Sequence, residues 1–154
     1  MKRVLVIAVF SLLAMTTASA QGVEYKIITS IESIIPGGLG RSRLIENQDH
    51  RNADSFKTKR TDGKTSGQGK IRRKDAKVKE FSETKLLNFY SLVGINFQNI
   101  ASNDALVGST LNKLANEGWE LAFVTSAVES DGGETDGNGI FITRYVFKRA
   151  KPSL

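Results

Sequence analysis

The chain has 154 residues, a length typical of one domain, and a formal net charge of +6. It contains no cysteine and a single histidine, His50. These counts exclude disulfide-stabilised folds, thiol nucleophiles and zinc sites built from several Cys or His ligands.

The first 20 residues have the features of a secretory signal peptide. Lys2 and Arg3 supply a positive start, residues 4–15 are almost entirely apolar, and Ala18-Ser19-Ala20 provides the small residues of a cleavage site. An uncleaved membrane anchor is the alternative, but a span needs about 20 apolar residues and this stretch is shorter. We expect an exported protein, periplasmic or secreted, without a transmembrane segment after cleavage.

Positive charge is concentrated in residues 57–79, called here the basic segment. Without Lys2 and Arg3, the mature chain (residues 21–154) carries +4. The basic segment holds ten cations and two acids, or +8, so the rest of the mature chain carries −4. The cations, which are candidate anion-binding residues, are Lys57, Lys59, Arg60, Lys64, Lys70, Arg72, Arg73, Lys74, Lys77 and Lys79.

The mature chain opens with a predicted strand over residues 23–35. Its side chains alternate with period two and place Tyr25, Ile27 and Ile31 on the more apolar face, which is typical of a half-buried strand. A Pro-Gly-Gly turn ends it, and residues 41–46 are compatible with a short returning strand.

Apolar residues are nearly absent from residues 47–79, called here the insert. Its glycines lie among Lys, Arg, Ser, Thr and Asp, a composition that cannot offset the entropy of ordering by burial. The insert is also longer than an ordinary ordered loop in a small domain. We therefore predict that it is flexible.

Residues 81–100 fit two interpretations. One group of apolar residues would share a helix face, and an overlapping group suits a strand interrupted at Gly94. We favour a short helix over residues 83–92, followed by an irregular buried segment.

An amphipathic helix is predicted next. Ser102 or Asn103 can cap its start, Asp104 places negative charge in its first turn, and Gly118 can end it. Its apolar stripe consists of Leu106, Val107, Leu111, Leu114 and Ala115.

Two further strands complete the pattern. Residues 119–126 place Trp119, Leu121 and Phe123 on one face, and residues 140–149 place Phe141, Thr143, Tyr145 and Phe147 on one face. A Gly-rich loop, residues 131–139, joins them as an antiparallel hairpin. The predicted fold class is α+β, in the order strand, insert, helix, strand, strand, with an antiparallel sheet packed on one main helix.

Four short motifs lie within these elements or at their ends. They are Glu24-Tyr25-Lys26, Leu111-Asn112-Lys113-Leu114, Glu117-Gly118-Trp119-Glu120-Leu121 and Tyr145-Val146-Phe147-Lys148-Arg149. In these motifs the chain resembles a widespread small bacterial domain of unknown function (DUF4177-like). The resemblance covers residues 23–28 and 102–149, and the long insert departs from it. It implies a β-α-β-β fold and no activity.

The chain offers little for catalysis. A lone histidine in a loop lacks the partners that a general base needs, and no Gly-rich phosphate loop precedes a helix. Asp131, Glu134, Asp136 and Asn138 share a loop, but their spacing fails the calcium-loop pattern. We predict no enzyme, metal or cofactor site, although sequence alone leaves a carboxylate-based hydrolase open.

Two functions remain as hypotheses. The first is a binding module that contacts an envelope protein. The second is electrostatic binding of an anionic membrane or polymer through the basic segment, with each cation contributing about 1 kcal/mol near an anionic membrane. Only Phe56 lies beside the segment as an aromatic, so specific nucleic-acid recognition is not expected. A solvated surface loop, and an insert folded onto its own acidic domain, are the alternatives.

Overall fold

The computed structural model describes residues 22–33, 41–129 and 139–151. The predicted signal peptide and Asp131, Glu134, Asp136 and Asn138 lie outside the described residues.

Seven strands occur in the described residues. They are β1 (Val23–Ser33), β2 (Arg43–Asn47), β3 (Phe81–Lys85), β4 (Tyr90–Ser91), β5 (Gly94–Ile95), β6 (Glu120–Glu129) and β7 (Ile140–Ala150). Five of them form one antiparallel sheet in the order β3-β2-β1-β7-β6, and β4 and β5 form a separate small hairpin. A one-turn helix, α1 (Arg73–Ala76), lies in the insert, and the main helix is α2 (Phe97–Asn116). The α+β class with one main helix is confirmed.

The first strand pairs with a neighbouring strand on each side. β1 pairs with β2 along Ile28–Ile31 and with β7 along its whole length. Strand β2 therefore confirms the predicted hairpin, and it extends to Asn47, so the insert begins at Gln48.

The start of α2 differs from the prediction. Asn96 is the N-cap, and its side chain accepts a hydrogen bond from the backbone N–H of Asn99 at 3.1 Å. The predicted caps lie inside the helix instead: Ser102 Oγ donates to the carbonyl of Gln98 at 2.8 Å, and Asn103 is buried. Capping by Asn96 satisfies a free N–H of the first turn, so the helix begins nearly two turns earlier.

The end of α2 confirms the role predicted for Gly118. Its φ of +82° is in the left-handed region, its N–H donates to the carbonyl of Ala115 at 3.0 Å, and the N–H of Trp119 donates to Leu114 at 2.9 Å. This pair of bonds is the Schellman motif, which an apolar contact between the flanking residues accompanies. Leu114 and Trp119 both belong to the buried core.

The core lies between α2 and one face of the sheet. It consists of Ile28, Leu44, Leu86, Leu114, Trp119 and Phe147, with Val107, Leu111 and Tyr145 packed against it. The predicted face of β7 is confirmed through Tyr145 and Phe147. Leu106 and Ala115, which the predicted stripe includes, are exposed.

In β1 the face predicted to be the more apolar one is exposed, and the opposite face is buried. The buried residues Ile28 and Ser30 face α2, whereas Tyr25 and Ile27 are exposed on the opposite face. On that open face, Ile27 lies beside Val146 of β7, and Val146 lies beside Phe123 of β6. Tyr25 and Ile27 are 65% and 51% exposed there, so alternation located the strand but not its buried face.

A β-bulge explains why the predicted face of β6 is wrong at Phe123. The register with β7 shifts between Leu121 and Phe123, so one extra residue moves Phe123 to the face opposite Leu121.

Residues 81–100 also correct the prediction. Residues 81–85 pair with β2 as a strand, and residues 90–95 form the β4–β5 hairpin, so no helix occupies 83–92. The ladder supplied by β2 outweighs the local helical periodicity, because β3 gains backbone hydrogen bonds along its whole length.

Candidate functional site

The insert contains short turns that its own polar side chains stabilise. Two 3-10 turns (Ala53–Phe56 and Gln68–Lys70) accompany α1. Asp62 Oδ1 accepts from the N–H groups of Lys64 and Thr65 at 2.9 and 2.8 Å. These backbone donors, from Thr65 and then Lys64, hold the pKa of Asp62 below its ordinary value. The insert therefore contains short ordered turns, and its flexibility stays a prediction.

The two ends of the insert are held together at its base. Arg51 donates to the backbone carbonyls of Asp75, at 3.2 Å, and of Lys77. Asp49 Oδ2 accepts from the backbone N–H of Lys79 at 3.1 Å and pairs with Arg51 at 3.3 Å. All three groups contacted between residues 75 and 79 are backbone atoms, so the side chains there are not needed for this closure.

All ten predicted anion-binding cations are exposed. Arg72 pairs with Asp75 at 2.7 Å, and Lys57 with Asp54 at 3.7 Å. The other eight make no ion pair with any residue that the structure describes, namely Lys59, Arg60, Lys64, Lys70, Arg73, Lys74, Lys77 and Lys79. Their ammonium and guanidinium groups face solvent, where they can meet an external anion. No contact in the described chain supports folding of these cations onto the acidic domain.

A cleft of about 470 Å³ lies beside Trp119. The Arg149 guanidinium lies 4.2 Å and the Lys26 ammonium 5.3 Å from the centroid of the indole ring. Arg149 also pairs with Glu24, and Lys26 pairs with Glu46 at 2.8 Å. The motifs that are distant in sequence thus meet in space and join β1, β2, β7 and the end of α2.

Sequence reasoning did not find this cleft, although its motifs supplied the residues. His50 lies exposed at its rim, with Asp49 beside it. Because Glu24 and Glu46 already neutralise Arg149 and Lys26, the cleft has no free cation in the described residues to recruit an anion.

A partly buried polar cluster lies between β1 and α2. Asn103 Nδ2 donates to Glu32 Oε1 at 3.2 Å. Burial raises the pKa of Glu32, against the lowering effect of the Asn103 bond, and the charge of Asp104 raises it further. Burial also raises the pKa of Tyr145, although its interaction with Ser30 lowers it. The Asn103–Glu32 bond links α2 to β1 in this cluster.

The β4–β5 hairpin carries an apolar tip. Leu92 and Val93 at its turn are almost fully exposed, and Ile95 and Phe97 follow as exposed residues. The hairpin follows the C-terminal end of β3, whereas the insert precedes its N-terminal end. The apolar tip and the basic segment are therefore separate surfaces at opposite ends of one strand.

No described helix combines the length and the apolar character that a membrane span requires. In residues 22–33, 41–129 and 139–151, no group of three His, Cys, Asp or Glu side chains is placed to hold a metal ion. Comparison of the chain with models of protein families, with curated protein sequences and with solved structures gives no match. The resemblance drawn from the motifs stays a prediction.

Proposed function

We propose that this protein is an exported, non-catalytic module that attaches to an anionic membrane surface through the basic segment. The observation that supports the proposal most directly is the set of eight exposed cations without an ion-pair partner in the described chain. Clusters of four to eight Lys and Arg residues are the usual recognition element for anionic lipid surfaces.

The expected strength follows from the number of free cations. Each Lys or Arg near an anionic membrane contributes about 1 kcal/mol, so eight give at most about 8 kcal/mol, which corresponds to a dissociation constant of roughly 1 μM. Added salt weakens this attraction because the Debye length is about 8 Å at physiological ionic strength.

The arrangement of the cations favours a surface over an enclosed polymer. They are spread over several exposed turns, and none of them lines the cleft beside Trp119. Phe56 is half-buried and Phe81, two residues beyond the segment, is one isolated exposed aromatic, so the segment has no series of aromatics on which successive bases could stack. A broad anionic surface can meet such scattered charges without a groove.

The test is binding of the purified protein to vesicles containing phosphatidylglycerol, compared with vesicles of phosphatidylcholine alone. We expect salt-sensitive binding to the anionic vesicles only. Replacing all eight free cations by Gln abolishes it, while the base of the insert stays closed because Arg51 and Asp49 bind backbone atoms there.

A second variant separates charge from apolar insertion. Leu92→Ser with Val93→Ser removes the apolar tip of the β4–β5 hairpin without changing charge, and it leaves electrostatic attachment unaltered. Loss of vesicle binding in this variant, or tighter binding of the wild type to soluble polyanions than to vesicles, contradicts the proposal. So does a wild type that binds no anionic vesicle, which favours a protein partner instead.

A further inference from the structure

Strand β6 forms an open edge of the sheet. Within the described residues it pairs with β7 on one side and with no strand on the other. Its sequence, ELAFVTSAVE, contains no Lys, Arg or Pro. Lys and Pro are residues with which proteins commonly block an exposed edge, and the bulge between Leu121 and Phe123 and the terminal Glu120 and Glu129 protect only the ends of β6, so the stretch between them has an unpaired backbone ladder without such a device.

The regular part of β6 is symmetric about one residue. After the bulge, residues 123–129 pair with β7 without interruption, and Ser126 is the centre of this seven-residue stretch. Val124, Ser126 and Val128 lie on the face that carries α2, because Val124 pairs with Tyr145 and Val128 with Phe141. Val124 and Val128 are 49% and 55% exposed, so each has apolar surface left to bury.

We propose that β6 pairs antiparallel with β6 of a second copy of this chain, around a two-fold axis through Ser126. In this register Val124 of one copy lies opposite Val128 of the other, and this pair occurs twice. Thr125 likewise lies opposite Ala127. Directly opposed apolar β-branched residues are a favourable cross-strand pair.

The alternation of side chains restricts the possible registers. A two-fold axis midway between two residues would oppose side chains that point to different faces of the sheet, which an antiparallel pair does not allow. Among axes through a residue, the one at Ser126 uses all of residues 123–129. A second copy of the same edge therefore satisfies the alternation along residues 123–129, with the two Val124–Val128 pairs near the axis and Phe123 opposite Glu129 at the ends.

The dimer has a continuous ten-stranded sheet. Both α2 helices lie on the same side of it, since an axis perpendicular to the sheet keeps its faces. The two inserts lie at its outer edges, because each connects β2 to β3 at the far side of the sheet. Dimerisation does not depend on membrane attachment. A dimer carries two basic segments, however, and would bind the membrane more tightly through avidity.

Charge substitutions test the register. Val124→Lys with Val128→Lys places ammonium groups opposite each other twice and weakens the dimer about 100-fold. Val124→Glu with Val128→Lys places opposite charges there and restores it. Val23→Lys is the matched control, because Val23 lies in β1 and is 48% exposed. Analytical ultracentrifugation across a concentration series measures all four proteins.

A cysteine at the axis gives an independent test. The chain has no cysteine, so Ser126→Cys introduces the only thiol. Opposed residues of an antiparallel pair have Cα atoms about 4.5–5.5 Å apart, within the range of a disulfide, so oxidised glutathione links the two copies. Val128→Cys is the control, because its two thiols lie about 13 Å apart along the strands.

Three results overturn the proposal. They are a wild type that stays monomeric, a dimer that the two lysines do not weaken, and equal cross-linking of the two cysteine variants. A wild-type monomer that still binds anionic vesicles would reject the dimer and leave the proposed function standing.

Discussion

The side chain of Asn103 forms both backbone hydrogen bonds of Leu87. Asn103 Oδ1 accepts from the Leu87 N–H at 2.7 Å, and Asn103 Nδ2 donates to the Leu87 carbonyl at 2.7 Å. A helix side chain thus takes the place of a neighbouring strand at the point where the chain leaves β3. Asn103 is fully buried, and Leu87 is half-buried.

Replacement of Asn103 by Ala therefore destabilises the fold. The Leu87 N–H and carbonyl lose their partners in a part-buried site, and we expect a loss of about 2–3 kcal/mol in the free energy of unfolding. Urea denaturation measures it. Ser102→Ala is the control, since Ser102 bonds only within its own helix, and its change stays within about 0.5 kcal/mol. Equal losses for both variants contradict this assignment.

Replacement by Ala is expected to have opposite effects on stability at Gly108, inside α2, and at Gly118, which ends it. A Cβ at Gly118 or at Gly108 meets nothing within 4 Å, so neither is limited by space. Gly118→Ala costs about 1 kcal/mol, because its φ of +82° disfavours any side chain. Gly108→Ala gains about 0.5–1 kcal/mol from helix propensity. Thermal unfolding measures the change in melting temperature of each variant. Changes of the same sign would contradict the role of Gly118 as a left-handed cap.

Adjacent residues of β1 test which face of the sheet is buried. Ile28 is 1% exposed and Ile27 is 51% exposed. Ile28→Ala removes core packing and costs about 2–4 kcal/mol, whereas Ile27→Ala costs less than about 1 kcal/mol. Denaturant unfolding at protein concentrations where the chain is monomeric measures both losses. A larger loss for Ile27→Ala than for Ile28→Ala would place the core on the other face of the sheet.

The pKa of Glu32 predicts a pH dependence of stability. Burial raises this pKa above its ordinary value near 4.5, so folding favours the protonated carboxyl. The contribution of this group is full below pH 4.5 and is lost as the pH rises through the folded-state pKa. Glu32→Gln, which mimics the protonated form, therefore stabilises the protein near neutral pH and has little effect below pH 4.5. Urea denaturation of the wild type and the Glu32 variant, below pH 4.5 and near neutral pH, measures the difference.

Short-range signals predicted part of this fold correctly. Gly118 ends α2 because a left-handed residue is needed there, and the alternation in β7 located Tyr145 and Phe147 on the core face. Both features depend on local geometry. The α+β class followed from the order of such elements.

The remaining features depend on contacts between distant residues. Strand β3 exists because β2 supplies its ladder, which residues 81–85 alone do not show. The buried face of β1 depends on where α2 packs. Asn103 is buried because its side-chain amide forms hydrogen bonds with the backbone N–H and carbonyl of Leu87. The composition of the basic segment indicated its charge correctly, but only the structure shows which two of its cations are paired, Lys57 and Arg72.

The most direct test of the proposed function compares two triple variants with the same loss of charge. One is Lys70→Gln, Arg73→Gln and Lys74→Gln in the basic segment; the other is Lys85→Gln, Lys113→Gln and Arg144→Gln elsewhere on the described surface. Affinity for anionic vesicles is measured over a range of salt concentrations. We expect about 100-fold weaker binding and a shallower salt dependence for the first variant, and a change of at most a few-fold for the second. Equal weakening of both would show that net charge alone drives the binding, and would contradict attachment through the basic segment.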